Sequence, residues 1–226
     1  MVDLRFVSAG DAALLIELPA GLDRGTSARA VALALGMGER CGERLLDVVV
    51  GYCSVTLYFD PLAVEPAWLE AEAGAVAASL APDVATEGRL VDVPVCYGGE
   101  YGPDLADVAA QAQVSEEDVV TMHARVTYHV YMVGFMPGFA YMASVDPRIA
   151  LPRRATPRER VPAGSVAIAA GQTGIYPMET PGGWHLIGRT HARPYDPARA
   201  EPFLFRPGDQ VRFHAVDRLA FEMERG

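Results

Sequence analysis

YHVYMVGFMPGFAYM (residues 128–142), LPRRATPRERVPAGSVAIAAGQTGIYP (151–177) and PGGWHLIGRT (181–190) together decide the fold. Glycine recurs in this stretch at 134, 138, 164, 171, 174, 182, 183 and 188, and proline at 137, 147, 152, 157, 162, 177 and 181. An interior glycine costs a helix about 1 kcal/mol relative to alanine and an interior proline about 3, so no long helix survives here. Short strands and shaped loops remain. VTYHVYMV alternates with period two, setting Thr127, His129 and Tyr131 against Tyr128, Val130 and Met132. SVAIAA, HLIGRT, PFLF and DQVRFHAV read as further strands, with Pro207-Gly208-Asp209 as a turn. Many short strands with sparse helix imply a closed or nearly closed β-barrel.

Upstream, the pattern changes. DLRFVSA and ALLIEL read as a hairpin about Gly10-Asp11, residues 27–40 as a helix ended by Cys41-Gly42, and LLDVVVGYCSVTLYFD as two strands hinged near Gly51. Pro66 suits the first turn of a second helix with Trp68, Leu69, Val76 and Leu80 on its apolar face, and RLVDVPV closes the unit as a strand. This predicts an α+β N-terminal domain, a ferredoxin-like layer, over residues 1–94, followed by the barrel over 95–226. Residues 1–94 hold 6 arginines against 14 acids, a net of -8, while 95–226 hold 13 against 15, a net of -2. In the second part Asp104 can cap a short helix to about Gln111, and Ser115 with Asp118 makes a capping-box start for another that ends near His123.

A net charge of -10 argues against a nucleic-acid footprint or an anionic membrane surface as main partner. The chain has no lysine and no asparagine, so all 19 basic side chains are arginines. That removes Schiff-base lysines, P-loop lysines and N-glycosylation sites, and leaves phosphate contacts to arginine, backbone N–H groups or a partner. Cys41, Cys53 and Cys96 are widely spaced in apolar sequence, as reduced core thiols are. No signal-peptide pattern or spanning apolar run is present, which gives a cytoplasmic expectation.

The ordered set GFMPGFAYM, LPRRATPRERVPAGSVAIAAGQTGIYP and PGGWHLIGRT, with VPVCYGGEYGPDL and VSEEDVVTMH before it and SAGDAALL and GYCSVTLYFDP further upstream, resembles the KipI family, also called the 5-oxoprolinase B subunit or allophanate hydrolase subunit 1. The resemblance implies a small α+β domain followed by a cyclophilin-like barrel. It also implies a place in a hetero-oligomeric, ATP-dependent 5-oxoprolinase that opens 5-oxoproline to L-glutamate, the chain being inactive alone. The implied partners are the A and C subunits of 5-oxoprolinase, including a KipA-like companion, with ATP and magnesium bound mainly by a partner. KipI-type inhibition of a sensor histidine kinase and an allophanate or urea-amide hydrolase subunit are the alternatives. Ala170 stands where the family commonly has glycine, and Val50 where proline is expected.

Opening a lactam with ATP requires neutralising a phosphate and a substrate carboxylate, and permanently charged, planar arginine forks suit both. Among Arg148, Arg153, Arg154, Arg158 and Arg160, we assign Arg154 to substrate or phosphate binding and Arg158 to catalysis; the bland alternative is that such arginines solvate loops or pair with acids such as Glu159. Gln172 and Thr173 precede Gly174 in a candidate oxyanion nest, for which a tight glycine turn is the alternative. His123 is a candidate acid or base, or else a capping charge at a helix C-terminus. Tyr128, with Tyr131, lines the same cleft or packs in the core. Phe135, Met136, Phe139 and Trp184 are the candidate partner interface, with burial inside the barrel as the competing reading. His185, His191 and His214 lack metal-ligand spacing, so no metal ligands are expected.

Overall fold

Gly10, at φ +75°, turns the chain between β1 (Arg5–Ser8) and β2 (Ala13–Glu17), the first hairpin of the N-terminal unit. The computed structural model describes residues 4–19, 21, 23–81 and 88–223. α1 (Arg24–Cys41) starts where the Asp23 carboxylate accepts the Thr26 N–H at 2.9 Å, and stops at Gly42, whose φ of +54° favours glycine. β3 (Leu45–Val50) and β4 (Ser54–Phe59) form a second hairpin, and Pro66 opens α2 (Pro66–Ser79). The strands make an antiparallel sheet in the order β1-β2-β4-β3. Leu14, Ile16, Leu57 and Phe59 of the sheet bury against Leu33, Met37, Leu69 and Val76 of the helices. The element order is therefore ββαββα. Its sheet is that of a ferredoxin-like layer in which the strand that usually ends the motif comes first.

The two compact units of the chain are Met1–Glu87 and Gly88–Gly226. The difference from a division at 94/95 concerns one strand. β5 (Leu90–Tyr97) contains the segment that hydropathy assigns to the first unit. It pairs in parallel with the distant strand Gln210–Ala215 over six residues and antiparallel with His185–Arg189. Local pattern records burial but not the identity of so remote a partner.

After β5 come α3 (Leu105–Ala112), α4 (Glu116–Ala124), β6 (Thr127–Val133), β7 (Ala140–Ala143), β8 (Arg158–Val161), β9 (Ser165–Ala169), β10 (Gln172–Ile175), β11 (Thr180–Gly182), β12 (His185–Arg189), β13 (Gln210–Ala215) and α5 (Arg218–Met223). Among the described residues, seven strands close a barrel in the order β10-β7-β6-β13-β5-β12-β9, while β8 and β11 form a separate two-stranded sheet. Inside the barrel lie Val95, Tyr128, Val130, Ile168, Ile187 and Phe213, packed with Leu105, Val108, Val119 and Met122 of α3 and α4. The alternate residues Ala167, Ala169 and Leu186 join Phe139, Val161, Tyr176 and Trp184 in a second cluster on the other side of the wall. β9 is consequently buried at every position. PFLF forms no strand; only Phe203 bridges to Tyr195.

Candidate functional site

The loop before α3 is pinned to the barrel by its own backbone. Gly98 N–H donates to Ile187 O at 3.0 Å and Asp104 N–H to Leu186 O at 2.9 Å. Gly102 has to be glycine, since a Cβ there would lie 2.1 Å from Ile187 O. This loop delivers the Asp104 carboxylate, 1% exposed, to the start of β12. Oδ2 accepts the Leu186 N–H at 2.7 Å and Arg158 Nη1 at 2.8 Å; Oδ1 accepts Arg158 Nη2 at 2.7 Å and Arg154 Nη1 at 2.8 Å. Arg154 is held in turn by its backbone N–H on Gly183 O at 2.8 Å. Burial pushes the Asp104 carboxyl up, but the Arg158 hydrogen bonds, the Leu186 N–H and the two guanidinium charges outweigh it and hold the group below the usual carboxylate range. Asp104 makes no side-chain helix cap; its carboxylate is committed to arginine.

Two positive charges on one negative leave the cluster a net +1. Arg158 is bound bidentately, and the sequence-based assignment of catalysis to it meets a guanidinium with both terminal nitrogens already engaged. Arg154 gives Asp104 only Nη1, and its side chain is 30% exposed. It commits one of its five N–H donors to Asp104 where Arg158 commits two.

A second group forms on His123, which is fully buried. Thr173 Oγ1 donates its proton to Ala167 O at 3.1 Å, so it accepts from His123 Nε2–H at 2.8 Å; Nδ1 then accepts the Tyr97 hydroxyl at 2.7 Å. Burial lowers the imidazole pKa to about 3. The helix-capping charge considered for His123 is thereby corrected: the ring is neutral and faces Tyr128 and Phe213 at centroid distances of 5.3 and 4.6 Å. Tyr128 is also enclosed and donates to the His123 carbonyl at 3.0 Å, so it lines no open cleft. The structure thus brings His123, Thr173 and Tyr128 together, and Arg154 and Arg158 together, as two separate groups. Gln172 sits half-buried at the start of β10, opposite Ala143 and Ala169.

Of the apolar candidates, Phe135 is 68% exposed at φ +70°, whereas Phe139 and Trp184 are buried and meet edge to face at 5.5 Å. The expectation that Phe139 and Trp184 face a partner is corrected, because both spend their surface on Tyr141, Tyr176 and one another. Met136 packs half-buried against the same cluster. Asp104 is the group that sequence reading missed, because its position before an apolar helix gives it the signature of a cap.

The family described as carboxyltransferase domain, subdomain C and D, matches residues 4–205. The 5-oxoprolinase B subunit of Bacillus subtilis is 38% identical over 90% of this chain and 89% of its own length. The 5-oxoprolinase B subunit of Escherichia coli is 56% identical over 56% of this chain and 58% of that protein. Among solved structures, that of TTHA0988 superposes with a TM-score of 0.79 at 39% identity, covering 91% of this chain and 40% of that one. By these matches the chain belongs to the carboxyltransferase subdomain C and D family and, within it, to the family of 5-oxoprolinase B subunits.

Proposed function

We propose that the chain is a subunit of an ATP-dependent 5-oxoprolinase complex, in which Arg154 receives the carboxylate of 5-oxoproline. The observation that carries this reading is the buried Asp104 that presents Arg154 and Arg158 side by side and leaves one net positive charge. A net +1 suits a single carboxylate better than a triphosphate. Hydrolysis breaks the ring C–N bond, adds hydroxide from water to the carbonyl carbon and a proton to nitrogen, and yields glutamate. The Asp104–arginine cluster of this chain does not fit a magnesium nucleotide. Asp104 is consumed by arginine, and among the described residues no three His, Cys, Asp or Glu side chains are grouped to hold a metal. ATP and magnesium are therefore assigned to companion subunits of the A and C type.

The relatives from Bacillus subtilis and Escherichia coli are each one subunit of a 5-oxoprolinase, which supports an assembly of several chains. Phe135, exposed and braced edge to face on Phe139 at 5.9 Å, is the proposed contact for a companion. Among the described residues no helix is long and apolar enough to cross a membrane, and the cytoplasm is the proposed compartment. The test is release of glutamate and ADP from 5-oxoproline and ATP by purified companion subunits, with and without this chain. Activity should appear only when the chain is present; full activity without it would overturn the reading and favour kinase inhibition or amide-hydrolase chemistry.

A further inference from the structure

The loop between β6 and β7 holds an aromatic ring out into solvent on a strained backbone. Val133 and Ala140 are the last paired residues of that hairpin, which leaves GFMPGF (134–139) to turn the chain. Met136 O accepts the Phe139 N–H at 3.1 Å, with Pro137 and Gly138 (φ +83°) between them, the residues of a type II turn. Gly134 N–H donates to Phe139 O at 3.0 Å and closes the loop at its base. Gly138 is pressed against another segment, since a Cβ there would lie 2.8 Å from Pro194 C and from Tyr195 Cβ. Within this frame Phe135 sits at φ +70°, a region that bulky L-residues rarely occupy, yet its side chain is 68% exposed. The ring meets Phe139 edge to face at 5.9 Å and is otherwise turned to solvent. Burial within the chain therefore does little to offset the strain, and strained backbone of this kind clusters where function uses it. Tyr195, on the segment that holds Gly138, supports a second outward ring: Phe203, 42% exposed, at a centroid distance of 5.3 Å.

We propose that Phe135 is a preorganised anchor that enters an apolar socket on a companion chain of the complex, with Phe203 packing at the rim of the same contact. Aromatic side chains carry most of an interface's energy where they fill a desolvated pocket, and a loop already fixed in its bound shape loses little freedom on association. A second copy of this chain fits less well, because each copy brings a net charge of -10. A companion suits the loop better. The relatives from Bacillus subtilis and Escherichia coli are each one subunit of a 5-oxoprolinase, and in TTHA0988 the matched region is 40% of one longer chain. The identity of the companion rests on the 5-oxoprolinase reading. Beyond that reading, the strained loop gives the partner's surface a shape and a chemistry: a concave pocket for one ring, lined by apolar groups and free of charge.

The experiment titrates the whole chain against purified companion subunits of the A and C type and reads Kd by calorimetry. Phe135→Gly removes the ring and relieves the backbone; Phe135→Asn removes the ring with a residue that tolerates positive φ. We expect either variant to weaken association about thirtyfold or more while its urea unfolding midpoint stays close to that of the wild type. Phe203→Ser should weaken it about threefold, as a rim contact does. Association as tight as the wild type in both Phe135 variants would overturn the proposal, as would failure of the wild-type chain to bind any companion. A raised KM for 5-oxoproline with association unchanged would overturn it too, making Phe135 a substrate platform. Loss in Phe135→Gly of a dimer formed by this chain alone, with companion binding intact, would overturn it in favour of a second copy. A sharply lowered unfolding midpoint would do so by showing that the ring serves the fold. Tight, Phe135-dependent association without glutamate release would strike the 5-oxoprolinase reading and leave the anchor standing.

Discussion

Asp104 concentrates the chemistry of the candidate site in one side chain. Four hydrogen bonds between 2.7 and 2.8 Å converge on a carboxylate of which 2% of the side chain is exposed. Removing one member of such a pair strands the other charges. Asp104→Asn should therefore cost about 3 kcal/mol in urea unfolding, the low end for a buried pair because both arginines remain partly wet. It should also abolish the contribution of the chain to glutamate release. A loss below about 1 kcal/mol would show that the arginines find other partners. His123 yields a prediction in pH. Its folded pKa is lowered by burial from 6.5 to about 3, so between those values the unfolded chain binds a proton that the folded chain does not. Stability should fall as pH drops through that window, by about 1.4 kcal/mol per pH unit from this group. His123→Gln should be less stable at neutral pH and show a shallower decline between about pH 6.5 and 4.5, the upper part of that window; parallel curves for the two proteins would contradict the assignment.

At the level of elements, the β9–β10 connection shows how local rules and family pattern meet. Ala169 pairs with Gln172, leaving a two-residue loop in which Ala170 has φ +49° and Gly171 φ +79°. Both central residues at positive φ mark a type I′ hairpin, which favours the right-handed twist of the flanking strands. An L-residue there is strained by about 1–2 kcal/mol, against an entropic cost of about 0.5–1 for glycine. Ala170→Gly should raise stability by about 0.5–1 kcal/mol in denaturant melts, the difference of those two terms; a loss would show that the alanine methyl packs productively. The reading of Gln172-Thr173-Gly174 as an anion nest missed this hairpin because strand alternation vanishes where both faces are buried. The Ser115–Asp118 capping box, the stop at Gly42 and the start at Pro66 were legible, since each depends on residues within one turn.

Across the whole molecule, the glycine and proline spacing of 128–190 announced a barrel, and the arginine density marked the segment from which Arg154 and Arg158 reach Asp104. The closure itself was not legible. It depends on β5 pairing in parallel with β13, a contact that no local pattern encodes. For the same reason Arg154 and Arg158 stood out in sequence while Asp104, which gives them geometry, did not: it lies 50 residues from Arg154 and meets it only through the fold. The central claim is that this chain contributes a substrate-binding arginine to an assembled, lactam-opening complex. Its most direct test is glutamate and ADP release by the reconstituted complex carrying Arg154→Ala. We expect a complex that assembles as the wild type does but loses at least about 99% of kcat/KM for 5-oxoproline, as removal of a charged substrate contact does. An assembled Arg154→Ala complex with wild-type kcat/KM would contradict the claim.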